Sequence, residues 1–168
     1  QRQMCIRDRY IYAREEAIMN QVQHYKRILT PVDGSEAAEK ALQTATEIAK
    51  RNNAHLDILN VIDLKQFSVS FGGMVDANGD VVYQTFEDVD KYLNELLEKT
   101  KEQGLEDVEV HARFGSPRTV IAREFPADHQ TDLIVMGPTG LNPVERVLVG
   151  AVTDYVTRAA QCDVIIAR

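Results

Sequence analysis

Apolar positions along this chain switch repeatedly between two rhythms. RILTPVD (27–33) is a short apolar run ending in a polar turn. From Ser35 to about Arg51, Ala38, Ala41, Leu42, Ala45, Ile48 and Ala49 recur at three- and four-residue spacing, one face of a helix with Ser35 as its N-cap. HLDILNVID (55–63) is dense in Leu, Ile and Val, as in a strand covered on both faces of a parallel sheet. Residues 64–83 change texture, with Gly72, Gly73 and the turn-like Asn78-Gly79 among polar residues, and predict a loop or small hairpin, by its length a candidate lid. Val89, Leu93, Leu96 and Leu97 restore helical spacing from about Thr85 to Gln103, with Gly104 as C-cap. VEVHARFG (108–115) alternates like a strand, SPRTVIAREF (116–125) opens a helix with Ser116 as cap and Pro117 at its first position, and DLIVMG (132–137) is another buried strand. A last helix starts near Gly150, and CDVIIAR closes the chain as a fifth strand. Strands alternating with helices imply right-handed crossovers and one doubly wound parallel α/β sheet. There is no internal repeat, heptad run or low-complexity tract.

Residues 1–18 stand apart from this pattern. They hold no periodicity that leads into the first strand, and QMCIRDR matches one reading frame of a transposase mosaic-end sequencing adapter. Arg14-Glu15-Glu16 can be encoded by a purine-rich ribosome-binding sequence just before Met19. The expectation is a non-native extension over 1–18, with Met19 as the native start and one domain over 19–168. A length of 168 residues, 44% hydrophobic, suits that single domain.

Charge and cysteine usage remove several classes. The net charge is −7, and because residues 1–18 contribute one net positive charge, the remainder carries −8. Such acidity argues against nonspecific binding to nucleic acid or an anionic membrane. No apolar stretch is long enough to span a bilayer and no secretory pattern precedes the fold, so the expected location is the cytoplasm. Cys5 and Cys162 offer neither a disulfide framework nor metal-type spacing.

The chemistry should lie beyond the carboxyl ends of the strands, where strand order reverses. Strand one ends in Thr30-Pro31-Val32-Asp33 and strand four in Val135-Met136-Gly137, so Asp33 and the segment GPTGLNPVERVLVGAVTDYV (137–156) are expected to face each other. Gly137, Gly140 and Gly150 allow close backbone approach and positive φ. Gly150, Ala151, Val152 and Thr153 at a helix start offer unpaired N–H groups and a positive dipole end, for which phosphate is the natural guest. Neither G-x-x-x-x-G-K-[ST] nor a G-x-G-x-x-G after the first strand is present, which disfavours a P-loop motor and a dinucleotide-dependent dehydrogenase.

Taken together, Pro31-Val32-Asp33-Gly34-Ser35, Asn60-Val61-Ile62-Asp63, Met136-Gly137-x-x-Gly140, nine residues, then Gly150, and the final Asp163-Val164-Ile165-Ile166 resemble the universal stress protein family. The likeness spans about Tyr25 to Arg168. It implies an open five-stranded sheet of order 3-2-1-4-5, adenine nucleotide alpha hydrolase-like, and homodimerisation through the C-terminal strand (162–167). In the branch carrying G-x2-G-x9-G-[S/T] it implies ATP, with or without Mg2+, in the crevice. By position, Pro31, Val32 and Asp33 would line the adenosine, with Asp33 near the ribose or a phosphate-bound metal, and Val61 would contact adenine. Met136, Gly137 and Gly140 would border the phosphates with Gly150, Val152 and Thr153. The chain departs from the pattern at Ala151, where the family has Ser or Thr. The lost hydroxyl removes a hydrogen bond worth roughly 0.5–1.5 kcal/mol, and Pro138 removes one N–H donor.

The remaining polar residues have plainer readings. Asp33 can simply cap the turn before the first helix, Arg146 can pair with an acidic neighbour as well as with phosphate, and Ser116 and Arg118 can reach the crevice or serve the helix they start. Glu95, Glu98 and Glu102 follow a solvated helix face. His24, His55, His111 and His129 share no spacing and predict neither a metal nor a catalytic set. No Ser–His–acid order or paired carboxylate supplies a base, so ATP turnover is expected to be slow at most. The expectation is a cytoplasmic dimeric stress-response protein that binds ATP or a related adenine nucleotide. The alternatives are a nucleotide-independent dimerisation or interaction module of the same fold, and a slow ATPase.

Overall fold

The computed structural model describes residues 24–63, 80–139 and 149–168. The N-terminal extension, most of the expected lid, Gly140 and Arg146 lie outside the described residues. Five strands, β1 (Arg27–Pro31), β2 (His55–Ile62), β3 (Val108–Phe114), β4 (Leu133–Met136) and β5 (Asp163–Ile166), form one parallel sheet of order β3-β2-β1-β4-β5. The chain reverses direction of winding between β1 and β4, and the expected fold class holds.

Helices cover both faces. α1 (Glu36–Asn52) and α2 (Asp80–Glu102) bury Ala41, Leu42, Ala45, Leu93 and Leu96 against Ile28, Leu56, Ile58, Leu133 and Val135. On the opposite face, Val120, Ile121, Phe125 and Val156 pack on Leu29, Leu59, Ile134 and Met136. Strand residues therefore alternate between two cores, which is why β1, β2 and β4 read as nearly continuous apolar runs. α1 is set by its ends: Ser35 Oγ accepts from the Ala38 amide at 3.2 Å, and Asn53 turns left-handed at φ 49° to stop it.

α2 begins at Asp80, five residues before the expected start, so residues 80–83 are helix rather than loop. The third helix, α3, also differs from expectation. It runs as Pro117–Thr119, a π-helical turn Val120–Glu124 and Phe125–His129, continuing past Pro126. Pro126 has no N–H, and in a regular helix its ring would collide with the carbonyl of residue 122. Widening the preceding turn, with the Phe125 amide on the Val120 carbonyl, relieves that conflict and carries the chain on to His129. The last helix, α4 (Ala151–Ala159), starts at Gly150 as expected. Among the described residues no helix is long and apolar enough to cross a membrane.

Candidate functional site

At the carboxyl ends of β1 and β4 the main chain is drawn together. The Val32 amide donates to the Leu59 carbonyl and the Asn60 side-chain amide donates to the Val32 carbonyl, both at 2.8 Å, so β1 and β2 are tied beyond their last paired residues. Asp33 is exposed, and its Oδ1 accepts the Ser35 amide at 3.0 Å, closing the turn into α1. Gly137 sits against the first turn of α1. A Cβ there would lie 2.8 Å from the Ala37 carbonyl oxygen, so glycine is required by close approach. This brings the end of β4 beside the Asp33–Ala37 turn.

The start of α4 offers the donors. The Asp154 amide is the first to bond within the helix, to the Gly150 carbonyl at 2.8 Å, which leaves the Ala151, Val152 and Thr153 amides ahead of the intrahelical ladder. No side chain caps this end among the described residues, in contrast to Ser35 on α1. Ala151 is exposed and Val152 half-buried.

The site residues expected from sequence fall into three groups. Pro31, Val61, Gly150 and Val152 are half-buried, and Asp33 and Ala151 are exposed. Val32 and Met136 are core side chains, only 3% and 5% exposed. Gly137 and Thr153 are buried, and the Thr153 hydroxyl donates to the Gly137 carbonyl at 3.0 Å, so it holds the loop rather than standing free as a donor. The Gly150 amide is likewise committed, to the Pro138 carbonyl at 2.6 Å. Positive φ is used at neither described loop glycine: Gly150 is extended at φ −71°, and Gly137 is not among the glycines with positive φ.

A second polar centre, which the sequence reading missed, lies on the α3 side of the sheet. Asp57 of β2 is fully buried. Arg27 Nη2 reaches its Oδ2 at 3.2 Å, and its Oδ1 faces His111 Nε2 at 2.9 Å, His55 Nε2 at 3.2 Å and His129 Nδ1 at 4.0 Å. The outer nitrogen of His55 meets Asp107 at 2.6 Å. Burial pushes the Asp57 carboxyl up, but the His111 hydrogen bond and the attraction of His55 and Arg27 outweigh it and hold the pKa below the ordinary carboxylate value. Burial also lowers the His129 imidazole, with His111, Arg113 and Arg27 adding to the effect and Asp57 opposing it. His55, His111 and His129, far apart in the chain, thus meet at one carboxylate. An Asp inside the apolar β2 run was the available signal.

The fold defines a doubly wound α/β protein of the adenine nucleotide alpha hydrolase-like class, whose strand order reverses between β1 and β4. The family model described as "Universal stress protein family" matches residues 24–168. The chain belongs to the universal stress protein family. A Staphylococcus aureus (strain USA300) relative bearing the universal stress protein name is 41% identical over 144 residues, which are 86% of this chain and 84% of that one. Among solved structures, universal stress protein UspA from Lactobacillus plantarum is 31% identical with a TM-score of 0.67, covering 86% of this chain and 99% of that chain. A universal stress protein solved in complex with cAMP is 25% identical with a TM-score of 0.64, covering 87% and 98%.

Proposed function

We propose that this universal stress protein binds ATP or a related adenine nucleotide, with or without Mg2+, in the crevice between the β1 and β4 ends, and does so as a cytoplasmic homodimer. The observation that carries the reading is the start of α4, which no side chain caps among the described residues and whose Ala151, Val152 and Thr153 amides lead a positive dipole end next to Gly150. A similar protein held cAMP, which supports an adenine ligand. In the proposed complex Pro31, Asp33 and Val61 line the nucleoside, Gly137, Gly140 and Gly150 border the phosphates with Ala151 and Val152, and Val32, Met136 and Thr153 shape the walls from within. β5 ends the sheet with Val164, Ile165 and Ile166 half-buried, which supports pairing through residues 162–167.

Thermal unfolding with and without ATP and Mg2+ tests the reading. Nucleotide at 100 times its dissociation constant adds about 2.7 kcal/mol of stability, and denatured protein releasing material that absorbs near 260 nm would show a co-purified ligand. No shift at millimolar ATP would overturn the reading. The commitment of the Thr153 hydroxyl and the Gly150 amide inside the loop, together with Ala151, favours as second reading an interaction module of the same fold that needs no nucleotide.

A further inference from the structure

The Asp57 centre is built unlike the crevice and lies away from it. Along β2, Asp57 precedes Val61 by four residues, about 13 Å of strand, and it faces α3 rather than the start of α4. We propose that Asp57 Oδ1, His111 Nε2 and His129 Nδ1 form a binding site for one divalent transition-metal ion.

The spacing of the donor atoms is the first support. Atoms bound about 2.0–2.1 Å from a tetrahedral ion lie roughly 3.3 Å from one another. His111 Nε2 and His129 Nδ1 lie 2.9 and 4.0 Å from Asp57 Oδ1, and the three ligand atoms all fall within 4.8 Å of one another. Shifts below about 1 Å bring them to bonding distance. Two imidazoles and a carboxylate leave coordination positions open and select zinc, iron, cobalt or nickel over magnesium and calcium.

Charge is the second support. Four carboxylates meet here, Asp57, Asp107, Glu109 and Asp128, against the guanidiniums of Arg27 and Arg113. The carboxylates outnumber the guanidiniums four to two, and that surplus of negative charge favours a cation. Arg27 donates to Oδ2 of Asp57 at 3.4 and 3.2 Å and to Oδ1 at 3.3 Å, so it holds the carboxylate in place while sharing Oδ1 with the histidines. Phe125 stacks on His129 with ring centroids 3.9 Å apart and meets His111 edge-on at 5.0 Å, which holds both rings in place.

Arg113 opposes the ion and makes the proposal testable. Its Nη2 lies 3.2 Å from His129 Nε2, and a guanidinium only donates, so Nε2 carries a lone pair and the ring hydrogen sits on Nδ1. Metal on Nδ1 requires that hydrogen to move to Nε2, which breaks the Arg113 contact while Arg113 keeps Asp128 at 2.6 Å. Arg113 therefore weakens the site.

Calorimetric titration of the chelator-treated chain of 168 residues with zinc chloride at pH 7 is expected to show one ion per chain. His129→Gln is expected to weaken it at least tenfold and Arg113→Gln to strengthen it several-fold. Co2+ should give a visible ligand-field band that His129→Gln alters. His111→Gln serves as a second ligand variant, with circular dichroism confirming that each variant is folded. Absence of stoichiometric zinc binding, or binding and a cobalt band unchanged in folded His129→Gln, overturns the proposal and leaves a centre held by protons and ion pairs alone.

Discussion

The two polar centres of this sheet are made of different material. The crevice beyond β1 and β4 is assembled from main chain: the amides ahead of α4, the close approach of Gly137 to Ala37, and the Asp33 turn. The Asp57 centre is assembled from side chains of β1, β2, β3 and α3 around one buried carboxylate. Main-chain donors come with every residue except proline and tolerate changes in neighbouring side chains. A buried carboxylate depends on every partner it has, since an unmatched charge inside the fold is expensive. The first centre should therefore respond to mutation mainly in affinity and the second mainly in stability.

The largest effect should come from the side-chain centre. Asp57→Ala leaves Arg27 without its buried partner and is expected to cost about 3–5 kcal/mol in urea unfolding; a loss below about 1 kcal/mol would erase the contrast. Gly137→Ala places a methyl into the first turn of α1, an overpacking that costs about 1–3 kcal/mol, and it should weaken nucleotide binding in the same protein. If the variant is as stable as the parent, the close approach is not structural. Ser35→Ala removes the observed α1 cap and should cost about 1 kcal/mol. Nucleotide affinity should change little, because the Ser35 hydroxyl oxygen is engaged with the Ala38 amide of its own helix.

Ala151→Ser restores the hydroxyl typical of the nucleotide-binding pattern and should tighten ATP by about 0.5–1.5 kcal/mol, read by calorimetry, with a change in melting temperature only when ligand is present. The smallest effect concerns Cys162, whose thiol is pushed above its ordinary pKa chiefly by burial, with Asp163 and Asp132 adding to the rise. The thiol stays protonated through neutral pH, so iodoacetamide should modify it more slowly than a free thiol near neutral pH, with the difference vanishing on unfolding.

What could be read from the residues follows the same division. The alternation of strands and helices, the α1 cap and the start of α4 at Gly150 express patterns contained in short segments, such as the alanine stripe from Ala38 to Ala49 or the apolar run Leu133–Met136, whereas the sheet order followed from the family resemblance alone. Asn53 at φ 49° shows the limit, because an ordinary polar residue took the left-handed stop where the chain gave no glycine. The start of α2 was misplaced because Val81, Val82 and Tyr83 are consecutive β-branched and aromatic residues, which show no helical spacing and suit a strand better by type. His55, His111 and His129 show no spacing in sequence because what joins them is strand register, with His111 opposite Leu59, and the run of α3 past Pro126. The glycine pattern was legible but its cause was not: Gly137 answers to a neighbouring helix and not to backbone φ.

The widened turn Val120–Glu124 has a consequence for how this chain can vary. A π turn houses one residue more than the regular spiral, and each residue of a helix accounts for about 100° of rotation. Deleting a single residue there would let α3 resume ordinary winding with His129 still on the Asp57 side, provided that the proline at 126 were replaced as well. Homologues shorter by one position in this segment should therefore lack that proline and keep the histidine that closes the second centre, so the widened turn acts as a one-residue length buffer.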